Sequence, residues 1–168
     1  MRFLLTRMFM MNKLAEYELI LKQVEAIASE ESDVIANMAN ISALLFESLS
    51  DVNWVGFYRV LSDELVLGPF QGKVACIRIP LNKGVCGSAA GKAKTIRVAN
   101  VHDFSGHIAC DANSNSEIVV PLIINDKVVA VLDIDSPIYE RFDEDDQTGL
   151  ENIINLFENI IIKHGVIN

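Results

Sequence analysis

Three cysteines are the residues of this 168-residue chain whose chemistry most needs an explanation. Cys76, Cys86 and Cys110 are odd in number and form no Cys-x-x-Cys pair, which argues against a disulfide scaffold or a four-thiolate zinc site. A buried cysteine that acts only as a small hydrophobe is the commoner explanation for any one of them, and Cys76, on a predicted strand, fits it best. Cys86 begins a predicted helix, where backbone N–H groups can lower a thiol pKa. Cys110 lies in a polar loop, where a reactive thiol can be oxidised to a sulfenic acid and then form a disulfide.

Three acidic residues next to apolar strand patterns form a second chemical group. Asp133 and Asp135 are two residues apart on a predicted strand, so both point to the same face of the sheet, and Glu117 precedes another apolar run. A solvent-exposed face is the simple explanation. The alternative is a pocket in which the carboxyls repel one another and lose water, so that one stays protonated near neutral pH. Such a pocket could bind an ammonium group through the ionised carboxylates and protonate an oxygen through the neutral carboxyl.

Two aromatic residues share a face of the strand pattern that precedes these groups. Trp54 and Tyr58 are four residues apart, and core packing is the commoner role for such a pair. The alternative is an aromatic wall that receives a methyl or a cationic group. The three histidines, His102, His107 and His164, do not have the spacing of a metal site.

The elements that must position these residues follow from the period of the apolar positions. Spacings of three and four predict two helices at the start and one at the end of the chain, and alternation predicts hairpin-linked strands between them. This order predicts one α+β domain with an antiparallel sheet. The predicted helices cover residues 14–28, 33–50, 84–93 and 143–164, the strands cover 54–60, 65–67, 74–79, 95–98, 118–124 and 127–134, and a polar loop covers 100–115.

Composition and charge exclude several classes of protein. Half of the residues (51%) are apolar and 22% are charged, which excludes intrinsic disorder. The net charge of −9 argues against nucleic acid or an anionic membrane as the main partner. Residues 1–11 are too short and too interrupted by charge for a signal peptide, so we expect residues 1–10 to be a loose extension, residues 11–168 to be the domain, and the cytoplasm to be its location.

Seven short segments bring these residues together with characteristic neighbours. They are 53–58 (NWVGFY), 68–73 (GPFQGK), 75–76 (AC), 84–87 (GVCG), 106–111 (GHIACD), 116–121 (SEIVVP) and 132–136 (LDIDS). Together they resemble the free methionine-(R)-sulfoxide reductases, a family built on a single GAF domain, over about residues 14–157. The resemblance implies a central antiparallel sheet with the N- and C-terminal helices on one face. Loops and a short helix would then cover a pocket on the other face.

The same resemblance implies an activity and roles for the thiols. The reaction is reduction of free L-methionine (R)-sulfoxide to methionine, with thioredoxin as reductant and with no metal or organic cofactor. Cys110 would attack the sulfoxide sulfur and become a sulfenic acid. Cys86 is the favoured disulfide partner and Cys76 a relay or second resolving thiol, while Cys76 as the partner and Cys86 as the nucleophile stay open.

The resemblance also implies how the substrate is held. Glu117, Asp133 and Asp135 would hold the sulfoxide oxygen and the amino group, while Trp54 and Tyr58 would enclose the methyl end. The wide apolar stripes of the terminal helices are compatible with a homodimer as well as with core packing.

Two other classes of function stay open. A GAF sensor that binds a small ligand would not need three thiols, and a redox-sensing thiol protein would have no use for the carboxyls.

Overall fold

The computed structural model describes residues 12–106 and 113–165 of the chain. In these ranges four helices and six strands follow one another in the order predicted from the apolar pattern. The helices are α1 (Lys13–Ala28), α2 (Val34–Ser48), α3 (Gly84–Lys92) and α4 (Glu144–His164), and the strands are β1 (Trp54–Leu61), β2 (Glu64–Gly72), β3 (Arg78–Pro80), β4 (Ile96–Val98), β5 (Ser116–Ile124) and β6 (Lys127–Ser136).

The six strands form one sheet in the order β3-β2-β1-β6-β5-β4, and all neighbours are antiparallel. This confirms the predicted α+β class with a central antiparallel sheet. Strand β6 lies between β1 and β5, so the side chains of these three strands meet at the centre of each face. The register places Trp54 and Glu117 on either side of Asp135, and Gly56 and Val119 on either side of Asp133.

One face of the sheet packs against α1, α2 and α4. Because side chains alternate along a strand, Val55, Phe57, Leu132 and Ile134 all point to this side and are completely buried. Burial of such side chains contributes about 1.5–3 kcal/mol each. Helix α1 lies so close to α4 that a side-chain carbon at Gly149 would come within 2.1 Å of the Tyr17 ring, so only glycine fits there.

The other face of the sheet carries a second, smaller apolar cluster. It includes Trp54, Tyr58 and Val131 of the sheet and Val85 and Ala89 of α3. The buried acidic side chains of Glu117 and Asp133 interrupt the apolar surface on this face. The predicted division, with the terminal helices on one face and the short helix on the other, is therefore confirmed.

The predicted strand over residues 74–79 is wrong for most of its length. Strand β3 contains only Arg78–Pro80, whereas residues 73–77, here called the pinned segment, have no ladder of strand hydrogen bonds. Side chains fix this segment instead, because the Trp54 Nε1–H donates to the Lys73 carbonyl (3.1 Å) and the Tyr58 hydroxyl to the Cys76 carbonyl (2.9 Å). A one-dimensional pattern of alternating apolar residues cannot distinguish these two ways of holding an extended backbone.

None of the helices in the described ranges has the length and apolar character that a membrane crossing requires. The predicted extension at residues 1–10, as well as His107 and Cys110, lies outside the described residues.

Candidate active site

A buried group of one thiol and two carboxyls lies where β5, β6 and α3 meet. The group consists of Cys86, Glu117 and Asp133 and is here called the carboxyl–thiol cluster. One polar atom of each residue lies within 4.8 Å of one polar atom of each of the others. Both carboxyl side chains are almost inaccessible, with only 6% exposed, and the Cys86 thiol donates a long hydrogen bond to Glu117 Oε1 (3.8 Å). The sheet creates this proximity, because β5 and β6 are neighbours and both acids point to the α3 side.

Burial raises the pKa values of both acids, and neighbouring charges raise that of Glu117 further. Burial is the main cause that raises the pKa of Glu117 well above its usual range, and the charges of Asp133 and Asp135 add to it. Burial also raises the pKa of Asp133, to about 6, although hydrogen bonds from Cys86 and Glu117 oppose the rise. Near neutral pH the pair therefore carries one proton, held on Glu117. This agrees with the expectation that one carboxyl of the group stays neutral.

One carboxyl oxygen of the cluster has no hydrogen-bond partner in the described structure. Asp133 Oδ1 is fully buried and receives no hydrogen bond from any described residue. An unpaired buried carboxylate oxygen is costly, so it is a natural place for a donor group of a ligand. The partly buried Asp135 lies on the same face of β6, two residues further along.

The environment of Cys86 is the opposite of the one expected for a reactive thiol. It is a free cysteine near the start of α3, 4% exposed. Burial and the negative charges of Asp133 and Glu117 raise its pKa well above the ordinary value. The helix N-terminus was expected to lower that pKa, but desolvation and two neighbouring carboxyls outweigh the partial charge of a helix end. Cys86 is therefore a poor nucleophile in this structure.

The other described cysteine, Cys76, is disulfide-bonded. It lies half-buried in the pinned segment, and its carbonyl accepts the hydrogen bond from Tyr58. The sequence-based preference for Cys86 as the disulfide-forming resolver therefore differs from the structure, in which Cys86 is free and Cys76 is bonded. The physical reason is that Cys86 is fixed on α3 among the carboxyls, whereas Cys76 lies on a segment at the edge of the site.

The two aromatic residues singled out in the sequence stand together with a third. Trp54 stacks on Tyr58 (ring centroids 5.8 Å apart) and on Phe70 (5.2 Å), and these three form the aromatic wall. Gly56 makes the stacking possible, because a side-chain carbon there would come within 2.6 Å of the Trp54 ring and 2.3 Å of Phe70 Cβ. Burial and the charges of Asp133 and Cys86 raise the Tyr58 pKa, which keeps its hydroxyl protonated as a donor to Cys76.

Sequence reasoning missed Phe70 and a set of polar side chains that anchor the polar loop. Phe70 stands in β2, which extends well beyond the strand predicted over residues 65–67. The Asn53 amide donates to Ser114 Oγ (3.1 Å), and Ser116 Oγ donates to the Ile138 carbonyl (2.6 Å). Asn53 and Ser116 begin two of the recognised segments, so their positions could have drawn attention to them. Neither residue type by itself, however, indicates a side chain that holds a loop by hydrogen bonds.

Comparison with known proteins places the chain among close relatives. A family model described as GAF domain matches residues 31–161. The free methionine-R-sulfoxide reductase of Escherichia coli (strain K12) is 48% identical over 151 residues, which cover 90% of this chain and 92% of that protein.

Two solved structures give the same result. A structure of fRMsr of Staphylococcus aureus in complex with substrate is 51% identical, with a TM-score of 0.83, and the match covers 86% of this chain and 95% of that one. The free methionine-R-sulfoxide reductase from Neisseria meningitidis, in complex with its substrate, is 43% identical with a TM-score of 0.88, covering 92% and 93%.

Proposed function

This chain belongs to the GAF domain family, and from that premise we propose that it is an enzyme that reduces free L-methionine (R)-sulfoxide to methionine. Relatives named for this activity match nearly the whole of their own length. The observation within the structure that carries the proposal is the buried pair of Glu117 and Asp133, whose pKa values are both raised, that of Glu117 the more strongly. A sulfoxide reductase needs both a proton donor for the oxygen and an anion for the amino group of a free amino acid.

The substrate would lie between the carboxyl–thiol cluster and the aromatic wall. The neutral Glu117 would donate a proton to the sulfoxide oxygen, and the ionised Asp133 and Asp135 would accept hydrogen bonds from the ammonium group. The unpartnered Asp133 Oδ1 supports this placement, since an ammonium donor would satisfy it. Trp54 and Tyr58 would enclose the methyl group and the sulfur.

The proposed chemical step transfers one oxygen atom from sulfur to sulfur. The Cys110 thiol attacks the sulfoxide sulfur, and the oxygen ends on the cysteine as a sulfenic acid while methionine leaves. The methionine sulfur gains two electrons, which the cysteine sulfur loses. A second thiol then attacks the sulfenic acid, forming a disulfide and releasing the oxygen as water.

We assign the resolving step to Cys76 rather than to Cys86. Two observations support this assignment: Cys76 is disulfide-bonded, and Cys86 is free, buried and high in pKa. In the proposed reaction Cys76 would therefore attack the sulfenic acid of Cys110. Cys86 would keep its proton and donate it in a hydrogen bond to Glu117, which orients that carboxyl.

Thioredoxin is the proposed reductant of the disulfide. An external dithiol must reach Cys76, and the residues that flank it are unusually exposed for their type: Val74 is 88% and Ile77 is 69% exposed. Apolar side chains beside a disulfide suit a partner that buries them while it attacks the sulfur. A reducing compartment would be required, which supports the cytoplasm as the proposed location.

The helix-mediated homodimer also stays a proposal. Large apolar side chains on the outer faces of α1, α2 and α4 are exposed, among them Leu19 (51%), Ile35 (42%) and Ile162 (51%). These residues lie away from the site face of the sheet, so a dimer formed through them would leave both sites accessible.

The proposed function is tested by coupled consumption of NADPH with thioredoxin and thioredoxin reductase. We expect turnover with the R epimer of free methionine sulfoxide and none with the S epimer. Cys110→Ser should be inactive, and Cys76→Ser should release about one methionine per chain and then stop. Cys86→Ser should keep both disulfide formation and multiple turnover. Absence of R-epimer turnover in the wild-type protein with intact thiols would contradict the proposal, and a single turnover in Cys86→Ser would contradict the assignment of Cys76.

A further inference from the structure

The carboxyl–thiol cluster has one feature that binding of the sulfoxide substrate does not require. An ammonium group and a sulfoxide oxygen are recognised fully by carboxyls, yet a thiol is packed among them. The Cys86 sulfur and one oxygen each of Glu117 and Asp133 lie within 4.8 Å of one another, and all three side chains are buried. In the described ranges this is the one group of three such side chains that could share an ion.

A second, independent observation indicates that the cluster is short of a positive ligand. Asp133 Oδ1 is buried and has no hydrogen-bond partner among the described residues, although Asp133 as a whole is only 6% exposed. A buried carboxylate oxygen that lacks a donor favours a cation or another positively charged ligand beside it.

The donor set determines which cation fits. One thiolate and two carboxylates suit a borderline or soft divalent ion such as Zn²⁺ or Cd²⁺, whereas Mg²⁺ and Ca²⁺ take oxygen ligands. Three protein ligands leave a fourth tetrahedral position for water. Zinc bonds of about 2.0–2.3 Å would require the three side chains to move closer together when the ion binds.

We propose that Cys86, Glu117 and Asp133 form a binding site for Zn²⁺ or Cd²⁺, and that the ion inhibits the enzyme reversibly by occupying the place of the substrate. Two protons leave to solvent when the ion binds: the Cys86 thiol proton, which is hydrogen-bonded to Glu117, and the proton that Glu117 holds near neutral pH. Inhibition rests on the proposed function, because it assumes that Glu117 and Asp133 hold the sulfoxide substrate. Binding of the ion does not rest on it.

The test for binding uses the oxidised protein. With Cys76 in its disulfide, Cys86 is the free cysteine of the described structure, so a sulfur-to-cadmium charge-transfer absorption in the ultraviolet reports on it. We expect about one Cd²⁺ per chain, loss of the absorption in Cys86→Ser, and affinity at least about tenfold weaker in Asp133→Asn. Asp126→Asn is the matched control, because Asp126 is an exposed residue at the far end of the β5–β6 hairpin and should leave the affinity unchanged.

Competition separates this proposal from the proposed function. Free methionine sulfoxide should displace Cd²⁺ from the wild-type protein, and Zn²⁺ should raise the KM for the sulfoxide without lowering kcat. Absorption that persists in Cys86→Ser, or equal affinity in Asp133→Asn and Asp126→Asn, would overturn the metal site. If Cd²⁺ binds as expected but the sulfoxide neither displaces it nor is turned over, the proposed function fails while the site stands. If the sulfoxide is reduced but Cd²⁺ does not bind, the inference alone fails.

Discussion

Glu117 and Asp133 show how two chemically similar residues acquire different roles from their positions. Both are buried, and the charge of Asp133 further disfavours ionisation of Glu117, whereas hydrogen bonds from Cys86 and Glu117 lower the pKa of Asp133 toward its usual value. The proton is therefore held on Glu117. In the proposed reaction this makes Glu117 the acid and Asp133 the anion. The two roles depend on the groups in contact with each carboxyl rather than on residue type.

At this scale we expect a bell-shaped pH dependence of kcat/KM. The rate should rise with pH through about 6 as Asp133 ionises, since its folded-state pKa lies there. It should fall at higher pH as Glu117 loses the proton that it donates, because its pKa is raised well above the usual range. Glu117→Gln should lower kcat/KM by about 100-fold or more, measured with the thioredoxin-coupled assay.

A matched substitution controls for this prediction. Asp133→Asn should weaken binding of the free amino acid and remove the rise of kcat/KM near pH 6, while the fall at high pH stays. A Glu117→Gln variant with an unchanged high-pH limb would show that another group donates the proton.

At the level of elements, the pinned segment determines how accessible Cys76, the proposed resolving thiol, is to an external reductant. Two hydrogen bonds from Trp54 and Tyr58 fix residues 73–77 on the aromatic wall, so that Cys76 is held at the edge of the site. The same two side chains would contact the substrate, which couples the substrate site to the position of the disulfide. Val74 and Ile77 point outward from this fixed backbone.

We expect Val74→Ser and Ile77→Ser to raise the KM for thioredoxin by about fivefold or more, because each removes an apolar contact from the proposed docking surface. The rate supported by dithiothreitol should not change, since a small dithiol needs no surface to bind. Leu61→Ser is the control, as Leu61 is 43% exposed but lies at the β1–β2 turn. An equal loss with both reductants would show that the substitutions disturb the site rather than the docking.

A second group of contacts between elements, centred on Asp146, fixes α1 against the start of α4. The completely buried Asp146 accepts hydrogen bonds from the Tyr17 hydroxyl (2.9 Å), Lys13 Nζ (2.8 Å), Arg141 Nη1 (3.1 Å) and the Asp143 backbone N–H (2.9 Å). The chain between β6 and α4 is thereby held near the end of β6 that carries Asp135.

We expect Asp146→Asn to lower the free energy of unfolding by about 3–5 kcal/mol, since it leaves the Arg141 cation partly buried without its anion. Urea denaturation measures the change, and Asp63→Asn, at an exposed turn position, should have almost no effect. A loss below about 1 kcal/mol would mean that water replaces the missing charge.

At the scale of the whole molecule, the two faces of the sheet differ: one face forms the main apolar core that stabilises the fold, and the other carries the candidate active site. The face toward α1, α2 and α4 is apolar along the central strands, whereas the opposite face combines an apolar cluster with the buried acids. Burial of carboxyls costs free energy because they lose water, and the large apolar core on the helical face offsets this cost. The acids can therefore be kept in a pocket without loss of the fold.

This arrangement predicts a preference for the free amino acid. If Asp133 and Asp135 hold the ammonium group inside the molecule, a peptide chain attached to that nitrogen has no room. We expect kcat/KM for N-acetylmethionine (R)-sulfoxide or for a peptide sulfoxide to be at least about 100-fold lower than for the free amino acid. Comparable rates for free and peptide-bound sulfoxide would refute the placement of the ammonium group.

Local rules were sufficient for much of the fold and part of the site. The period of apolar residues predicted α1, α2 and α4, and the two-residue repeat placed Asp133 and Asp135 on one face of a strand, because side chains alternate whatever the sheet becomes. The bounds predicted for the last helix, residues 143–164, agree within one residue with α4. The recognised segments added the family, which the comparisons confirm.

The sequence by itself therefore determined the α+β class, the helix ends and the set of chemically able residues. Only the tertiary structure decided which of these residues are neighbours and how their neighbours shift their pKa values. It placed Glu117 beside Asp133, added Phe70 to the aromatic wall, and replaced a strand at residues 74–77 by a segment held by Trp54 and Tyr58. The thiol of Cys86 is the sharpest case, since a helix start predicts a low pKa and burial among carboxyls raises it. The physical reason is that desolvation and charge–charge interactions depend on neighbours distant in sequence, which no local pattern contains.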